Sequence, residues 1–104
     1  MRDDARTFGV TAFKAAMWGD MVKVRCSCGH FVIYDPHALW WLCHRRNWND
    51  AFSKLQRRFY CSVCHMVQGG KVRPAAIELC RYQPTIELPM PPEKEWQQAL
   101  RRAR

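Results

Sequence analysis

A single small α+β domain is the fold class that this sequence of 104 residues predicts, and three observations lead to it. Hydrophobic residues make up 48% and charged residues 25% of the chain, a balance typical of globular rather than disordered proteins. Strand-like alternation surrounds one close pair of cysteines, and helix start signals lie between that pair and a second one. A chain of this length holds one core, which excludes multidomain enzymes.

Residues 1–20 form an N-terminal segment that contains a semi-apolar stretch. Phe8, Ala12, Ala15 and Ala16 recur near the helical spacing, so the sequence favours a short helix here. The segment has no apolar run of the signal-peptide type, and no window of the chain approaches the roughly 18 apolar residues of a membrane span. We therefore expect a cytoplasmic protein in a reducing compartment, without membrane contact.

A strand pattern begins at Met21. Val22 and Val24 alternate with basic residues, and the pattern resumes over 31–34, so two short strands flanking a turn are expected. Gly29 lies in this turn, where its tolerance of positive φ is useful.

Two helices are predicted after these strands. Asp35 and Pro36 form an N-cap followed by proline at the first helical position, which opens a helix that extends to about Arg46. A second start signal lies among the asparagines and the aspartate of residues 47–50, and it indicates a helix to about Phe59. Both helices would lie between the two cysteine pairs.

The chain after the second cysteine pair contains strand candidates at 71–73 and 76–79. Four prolines between residues 84 and 92 then predict a linker that ends the folded unit. Residues 93–104 are acidic first and basic last, which suits a helix dipole, but their apolar stripe is thin, so we expect a frayed tail that orders on a partner. The predicted divisions are an N-terminal segment (1–20), a central domain (21–83) and a Pro-rich linker with a basic tail (84–104).

Cysteines carry the main chemical signal of the sequence. Cys26 and Cys28 form one close pair, Cys61 and Cys64 form another, and 32 residues separate the pairs. In a reducing compartment, thiols at such short spacing are metal ligands more often than disulfide partners. Zinc takes four ligands in a tetrahedron, and two tight turns that each offer two sulfurs complete one site. We therefore predict a structural zinc ion that holds together a core of about 60 residues.

The same residues also fit other kinds of site. The first pair is CxC rather than CxxC, so His30 or His65 could replace one sulfur as a ligand. Cys61, Cys64 and His65 also fit a haem attachment pattern or a redox dithiol, but haem attachment belongs to exported proteins, and the βαβ pattern of dithiol enzymes is missing. A zinc deaminase needs a His-x-Glu triplet, which this sequence lacks. A zinc ion with four protein ligands has no position for water, so we expect no enzymatic activity.

The residues around the cysteine pairs carry a further indication. The stretches concerned are Thr7-Phe8-Gly9, Val24-Arg25-Cys26-x-Cys28-Gly29-His30, Asp35-Pro36-x-Ala38-Leu39, Leu55-x-x-Arg58-Phe59-x-Cys61-Ser62-x-Cys64 and Val72-Arg73-Pro74. Together, over about residues 7–74, they resemble a group of small bacterial and phage-associated zinc-finger proteins of unassigned function. The resemblance implies a metal-stapled, zinc-ribbon-like fold, with the paired cysteines as zinc ligands, and no reaction. In that group the second pair usually continues with glycine, whereas here His65 follows.

A basic surface is the second functional candidate. The chain has 17 Lys+Arg against nine Asp+Glu, a formal charge of +8, which attracts phosphate backbones, acidic proteins or anionic lipids. On the second predicted helix, Lys54, Arg57 and Arg58 lie opposite an apolar arc, and Arg45 and Arg46 precede that helix. Cations on a rigid scaffold bind several phosphates at once, so we expect association with nucleic acid.

The first predicted helix has an aliphatic stripe and a stripe of tryptophan and histidine. The aliphatic stripe, with Cys43, is expected in the core, so Trp40 and Trp41 would be partly exposed and free to stack on bases or to anchor an interface. The leading hypothesis is a nucleic-acid-associated zinc-finger module. The alternative is a protein-interaction adaptor or phage-type inhibitor that covers an acidic or nucleic-acid-binding protein with its Trp/Arg face and with residues 93–104. A thiol redox or haem protein is the third hypothesis.

Overall fold

The computed structural model describes residues 9–103, and within them helices and a three-stranded antiparallel sheet form a small α+β fold, as predicted. The helices are α1 (Ala12–Trp18), α2 (Pro36–Arg45), α3 (Phe52–Leu55), α4 (Ser62–Gln68) and α5 (Glu93–Ala103). The strands are β1 (Met21–Arg25), β2 (Phe31–Tyr34) and β3 (Ala76–Cys80). Thr7 and Phe8, which begin the resemblance and the predicted N-terminal helix, lie outside the described residues, as does Arg104.

The sheet has the order β2-β1-β3, with β1 in the centre. The predicted pair of strands around a turn is confirmed, because β1 and β2 pair from Val22 opposite Tyr34 to Arg25 opposite Phe31. Of the two later strand candidates, only the second forms a strand, which pairs with the other edge of β1. Residues 71–73 are not a strand, because the carbonyl of Val72 instead accepts a hydrogen bond from the Cys61 N–H at 3.0 Å.

Helix α2 begins where the sequence predicted. The Asp35 carboxylate accepts a hydrogen bond from the His37 N–H at 2.8 Å, and Pro36 occupies the first helical position. Helix α1 begins in the same way, since the Thr11 hydroxyl accepts from the Lys14 N–H at 3.1 Å. Both α1 and α2 therefore begin at a polar side chain that accepts a hydrogen bond from a backbone N–H without a partner inside the helix.

The second predicted helix, from about residue 47 to Phe59, is mostly wrong, because α3 spans only Phe52–Leu55. Of the polar residues that were interpreted as its start, Asn49 accepts a hydrogen bond from the Ala51 N–H at 2.9 Å, whereas Asp50 serves α1 instead. The carbonyl of Asp50 accepts a hydrogen bond from the Ala12 N–H at 3.1 Å, and its carboxylate accepts one from the Phe13 N–H at 2.9 Å. Long-range capping of α1 thus takes the groups that a local N-cap would have used.

The core lies between the sheet and helices α1 and α2, with α5 packed across it. Leu39, Leu55 and Val22 are fully buried there. Helix α5 differs from the frayed tail that the sequence predicted. The Trp96 ring lies 5.2 Å from the ring of Phe13 and 5.3 Å from that of Trp40 (centroid distances), and it adds an aromatic anchor to the thin apolar stripe.

The proline-rich segment before α5 also contacts the sheet. The Thr85 N–H donates to the carbonyl of Ile33 at 2.9 Å, and the Ile33 N–H donates to the Thr85 hydroxyl at 2.9 Å. These bonds satisfy backbone groups on the outer edge of β2, which would otherwise be available for pairing with another strand. The segment therefore covers one edge of the sheet on its way to α5.

Candidate metal centre

Four cysteine sulfurs converge on one site, as the two close pairs predicted. The Sγ atoms of Cys26, Cys28, Cys61 and Cys64 all lie within 4.8 Å of one another. The shortest distances run between the pairs, with Cys26 and Cys64 at 3.6 Å and Cys28 and Cys61 at 3.7 Å. Four sulfurs bonded to zinc at its usual distance form a tetrahedron with edges of about 3.8 Å. The sulfur arrangement therefore fits a tetrahedral metal ion.

The first cysteine pair lies in the turn between β1 and β2. The Cys26 N–H donates to the carbonyl of His30 at 2.8 Å, and the Gly29 N–H donates to the carbonyl of Cys26 at 3.0 Å. Gly29 has a φ of 97°, a conformation that side chains with a Cβ adopt only with strain. The turn is tight enough to place two sulfurs separated by one residue in a single cluster.

The second cysteine pair lies at the start of helix α4, which the sequence analysis missed. Cys61 is the N-cap, and its sulfur accepts a hydrogen bond from the Cys64 N–H at 3.4 Å. Gly69 ends the helix with a φ of 82°. The missed signals are the three-residue spacing between the Cys61 N-cap and Cys64 in the first turn, and the glycine eight residues after that N-cap.

Neither histidine beside the pairs replaces a sulfur in the cluster. The Nδ1 of His65 lies 3.3 Å from the carbonyl oxygen of Gly70, and its ring contacts the Tyr60 ring edge-on at 5.2 Å between centroids. The candidate metal cluster found among residues 9–103 contains four cysteines and no imidazole. The structure thus favours four sulfur ligands over the alternatives with His30 or His65.

Two thiols of the cluster, those of Cys26 and Cys64, have shifted pKa values. The pKa of Cys26 is lowered to about 6, first because the backbone N–H of Cys28 stabilises its thiolate and then because the other three thiols donate to it. The pKa of Cys64 is raised to about 12, mainly because its thiol donates to Cys26 and Cys28 and would lose these bonds on ionising. The opposite shifts of these two pKa values mean that ionising one thiol opposes ionising the other, and a bound divalent cation would offset that opposition.

The cluster is well shielded except on one side. Cys26, Cys61 and Cys64 are buried, with Val72 packed against them, and Cys28 is exposed. The remaining two cysteines lie elsewhere, with Cys43 in the apolar core and Cys80 at the end of β3.

The predicted basic residues are all exposed, although they do not share one helix face. They are Arg45, Arg46, Lys54, Arg57 and Arg58. Within residues 9–103, none of the five forms an ion pair. The stretch 45–73 contains seven Lys+Arg and one acidic residue, Asp50, whose carboxylate accepts the bond from the Phe13 N–H. The positive charge of this stretch is therefore not neutralised by ion pairs among residues 9–103.

Trp48 organises part of this surface, and the sequence analysis did not single it out. The guanidinium carbons of Arg46 and Arg58 lie 5.2 Å and 4.7 Å from the centroid of the Trp48 ring, within the range of cation–π contacts. Arg45 lies 5.7 Å from the centroid of the Trp41 ring in the same way. These rings hold together cations from the end of α2 and from the turn after α3.

The predicted role of Trp40 as an exposed stacking residue is wrong. Its side chain is only 8% exposed, because it packs against Trp96 of α5 and against the ring of His44 at 5.1 Å between centroids. Trp41 is half-buried beside it. The division into an aliphatic core stripe and an exposed tryptophan stripe failed because Trp96 of α5 covers Trp40 and His37 in the second stripe.

Comparisons with known proteins add no assignment: no family model, no curated protein and no solved structure matches this chain. In the part of the chain that the structure describes, no helix has both the length and the apolar character needed to cross a membrane. The function is therefore argued from the sulfur cluster and the basic surface alone.

Proposed function

We propose that this protein is a non-enzymatic zinc-finger module of zinc-ribbon type, which binds nucleic acid through its basic surface. The observation that carries the proposal is the convergence of four cysteine sulfurs within 4.8 Å, together with the five exposed cations of residues 45–58, which form no ion pair within residues 9–103. In this proposal the zinc ion fixes the scaffold, and the basic side chains contact the partner.

Zinc is the metal that this donor set favours. A closed tetrahedral site with four thiolates is typical of structural zinc or of an iron–sulfur centre. Such a zinc ion has no open coordination position, so it would supply folding energy rather than a reactive water. Four thiolates and one Zn²⁺ together lower the formal charge of the chain from +8 to +6. The protein therefore stays basic when the metal is bound.

Two kinds of partner were predicted from the sequence, nucleic acid and the protein partner of an adaptor. The basic surface favours nucleic acid. Arg46 and Arg58 are held at Trp48, so less conformational entropy is lost when they meet phosphates. The adaptor hypothesis relied on Trp40 and on residues 93–104, and in this fold Trp40 and Trp96 pack against each other in the core. Trp40 and Trp96 are therefore not exposed aromatic anchors for that interface.

Elemental analysis combined with native mass spectrometry tests the metal. We expect one zinc per chain in the purified protein, and its loss on Cys64→Ser. Cys80→Ser is the matched control and should keep the zinc, because Cys80 lies outside the cluster. A preparation without metal, or one with the visible absorbance of iron or haem, contradicts the zinc centre.

Fluorescence anisotropy with a labelled 20-nucleotide RNA and a labelled duplex DNA tests the basic surface. We expect binding that weakens steeply with salt, with a log–log slope that falls by roughly 1 for each phosphate contact removed. Lys54→Glu with Arg57→Glu should weaken binding much more than Lys94→Glu with Arg101→Glu, which makes the same charge change on α5. Equal effects of the two pairs, or affinity indifferent to salt, would remove nucleic-acid binding from the proposal.

A further inference from the structure

The outer face of helix α4 is apolar and exposed, and the proposed function does not use it. Val63, Met66 and Val67 are 42%, 85% and 78% exposed, and they follow the i, i+3, i+4 spacing of one helix face. Met66 is long and flexible, a property common at surfaces that bind apolar grooves. Three neighbouring apolar side chains in water on one short helix are typical of an interaction site.

These side chains contribute nothing to the core. Among the described residues, α4 packs closely against no other helix or strand, and its only buried residue is Cys64. Its other attachments are the Cys61 N-cap, the bond from the Cys61 N–H to the carbonyl of Val72, and the contact between the rings of His65 and Tyr60. The helix is thus held by its cysteine end, with its apolar face turned outward. Folding alone does not explain that face.

We propose that the outer face of α4 docks into an apolar groove of a protein partner whose rim carries carboxylates. The charge around the helix selects this partner. Residues 51–77 contain five Lys+Arg and no acidic residue, so a partner with carboxylates beside its apolar groove complements both features of the surface. Lys71 offers one such contact, because its Nζ lies 5.2 Å from the centroid of the Tyr60 ring, which itself contacts the ring of His65 on α4.

Other occupants fit the surface less well. A second copy of this chain would bring two basic surfaces together and repel. Phosphates gain nothing from valine and methionine side chains, so nucleic acid does not account for them. Helices that lie on membranes carry Lys or Arg on their polar face, whereas the exposed polar residues of α4 are Ser62, His65 and Gln68. A protein with carboxylates around an apolar groove is the partner that complements both the apolar side chains of α4 and the positive charge around them.

This inference rests on the proposed metal centre, because the cysteines hold α4, and it does not depend on nucleic-acid binding. The test places the photo-crosslinking amino acid benzoylphenylalanine at position 66 of the full-length, zinc-loaded protein in the cells that encode it. We expect a covalent product with another protein, in which the crosslinked segment carries apolar residues and an excess of Asp and Glu. A synthetic peptide of that segment should then bind the purified protein.

A matched pair of variants decides whether the face itself carries the binding. Val67→Glu should weaken the peptide's affinity by about tenfold or more, whereas Gln68→Glu, the same change of charge one residue further on, should weaken it much less. Zinc content is measured for both variants, and Met66→Gln replaces Val67→Glu if that variant loses its metal. Crosslinks to RNA, DNA, lipid or a second copy, or none at all, would overturn the docking surface. A metal-free protein would instead contradict the proposed function.

Discussion

Two parts of this small molecule are stabilised by different physical means. The larger part, with the sheet and helices α1, α2 and α5, has a continuous apolar core that includes Leu39 and Val22. The smaller part, with the turn after β1 and helix α4, has a buried cluster of cysteine sulfurs and the side chain of Val72. The two clusters share no residue.

This difference shows what the metal centre contributes. Burial of side chains stabilises the first part without a ligand, since each fully buried leucine contributes roughly 1.5–3 kcal/mol. The second part buries too little apolar surface for that, and hydrogen bonds to the neighbouring thiols raise the pKa of Cys64. In the proposed function a bound cation supplies the missing stability, and the exposed helix α4 depends on that cation more than the core does.

Removal of the metal is the largest expected perturbation, and it should separate the two parts. Structural zinc contributes about 10–16 kcal/mol of binding free energy in zinc-finger peptides. After chelation we expect residues 61–72 and 26–30 to lose amide protection, while Val22, Ile33 and Leu39 keep theirs. Hydrogen exchange with mass spectrometry on the chelated and zinc-loaded protein measures both.

Cys80→Ser provides the control for this experiment, because Cys80 lies in β3 outside the cluster. That variant should behave as the parent does with and without zinc. Uniform loss of protection throughout the core on chelation would show that the two parts form one cooperative unit and that the comparison between them fails.

The sequence predicted the elements whose signals are local. The β1–β2 hairpin follows from alternation around Gly29, and α2 follows from its capping Asp35. Each cysteine pair was predictable in the same way, since spacing alone brings two sulfurs into one turn, whereas the convergence of the two pairs was inferred from the four ligands that a zinc ion takes. These signals need no knowledge of the rest of the chain.

Elements that depend on distant partners were not predicted. The position of α5 depends on Trp96 finding Phe13 and Trp40, which lie more than 50 residues earlier in the sequence. Asp50 caps a helix that begins far from it in sequence, so the start signal near it was assigned to the wrong helix. The exposure of Trp40 was misjudged for the same reason, because the segment that buries it had been interpreted as a tail.

Leu39→Ala tests the separation of the two parts by weakening the apolar core. Leu39 is fully buried, so removing its side chain should lower the free energy of unfolding by about 2–5 kcal/mol. Because the cysteine cluster shares no residue with this core, the folded variant should still bind one zinc per chain. Denaturant unfolding and elemental analysis measure the two quantities. Loss of zinc from the folded variant would contradict the separation.

Trp96→Ala tests how firmly α5 belongs to the larger part. Trp96 is half-buried among Phe13, Trp40 and His37, so its removal should destabilise the protein by about 2 kcal/mol, less than a fully buried aromatic. We also expect Trp40 to become accessible, which quenching of tryptophan fluorescence by acrylamide detects. Gln97→Ala, an exposed change on the same helix, is the control and should have little effect on either measurement. An unchanged stability in Trp96→Ala would mean that α5 is only loosely attached.

Ionisation of Cys43 gives the smallest expected effect on stability. It also distinguishes a thiol in the apolar core from the thiols of the metal cluster most directly. Burial in the apolar core, reinforced by the carboxylate of Asp50, raises the pKa of Cys43 from its ordinary value of 9.0 to about 12. Below pH 9 the thiol is neutral in both the folded and the unfolded chain. As the pH rises above 9 the unfolded chain loses this proton first, so stability falls, and Cys43→Ala should reduce that fall.

Alkylation with iodoacetamide at pH 8.5 uses this burial and raised pKa of Cys43 to compare the apolar core with the metal cluster within one molecule. In the zinc-loaded protein we expect Cys80 to react first and Cys43 to stay unmodified. Chelation should then expose the four thiols of the cluster to the reagent, while Cys43 remains protected because its protection comes from packing and not from the metal. Mass spectrometry of the digested protein assigns each site. Modification of Cys43 at the same rate as the cluster thiols after chelation would show that the apolar core opens whenever the metal leaves.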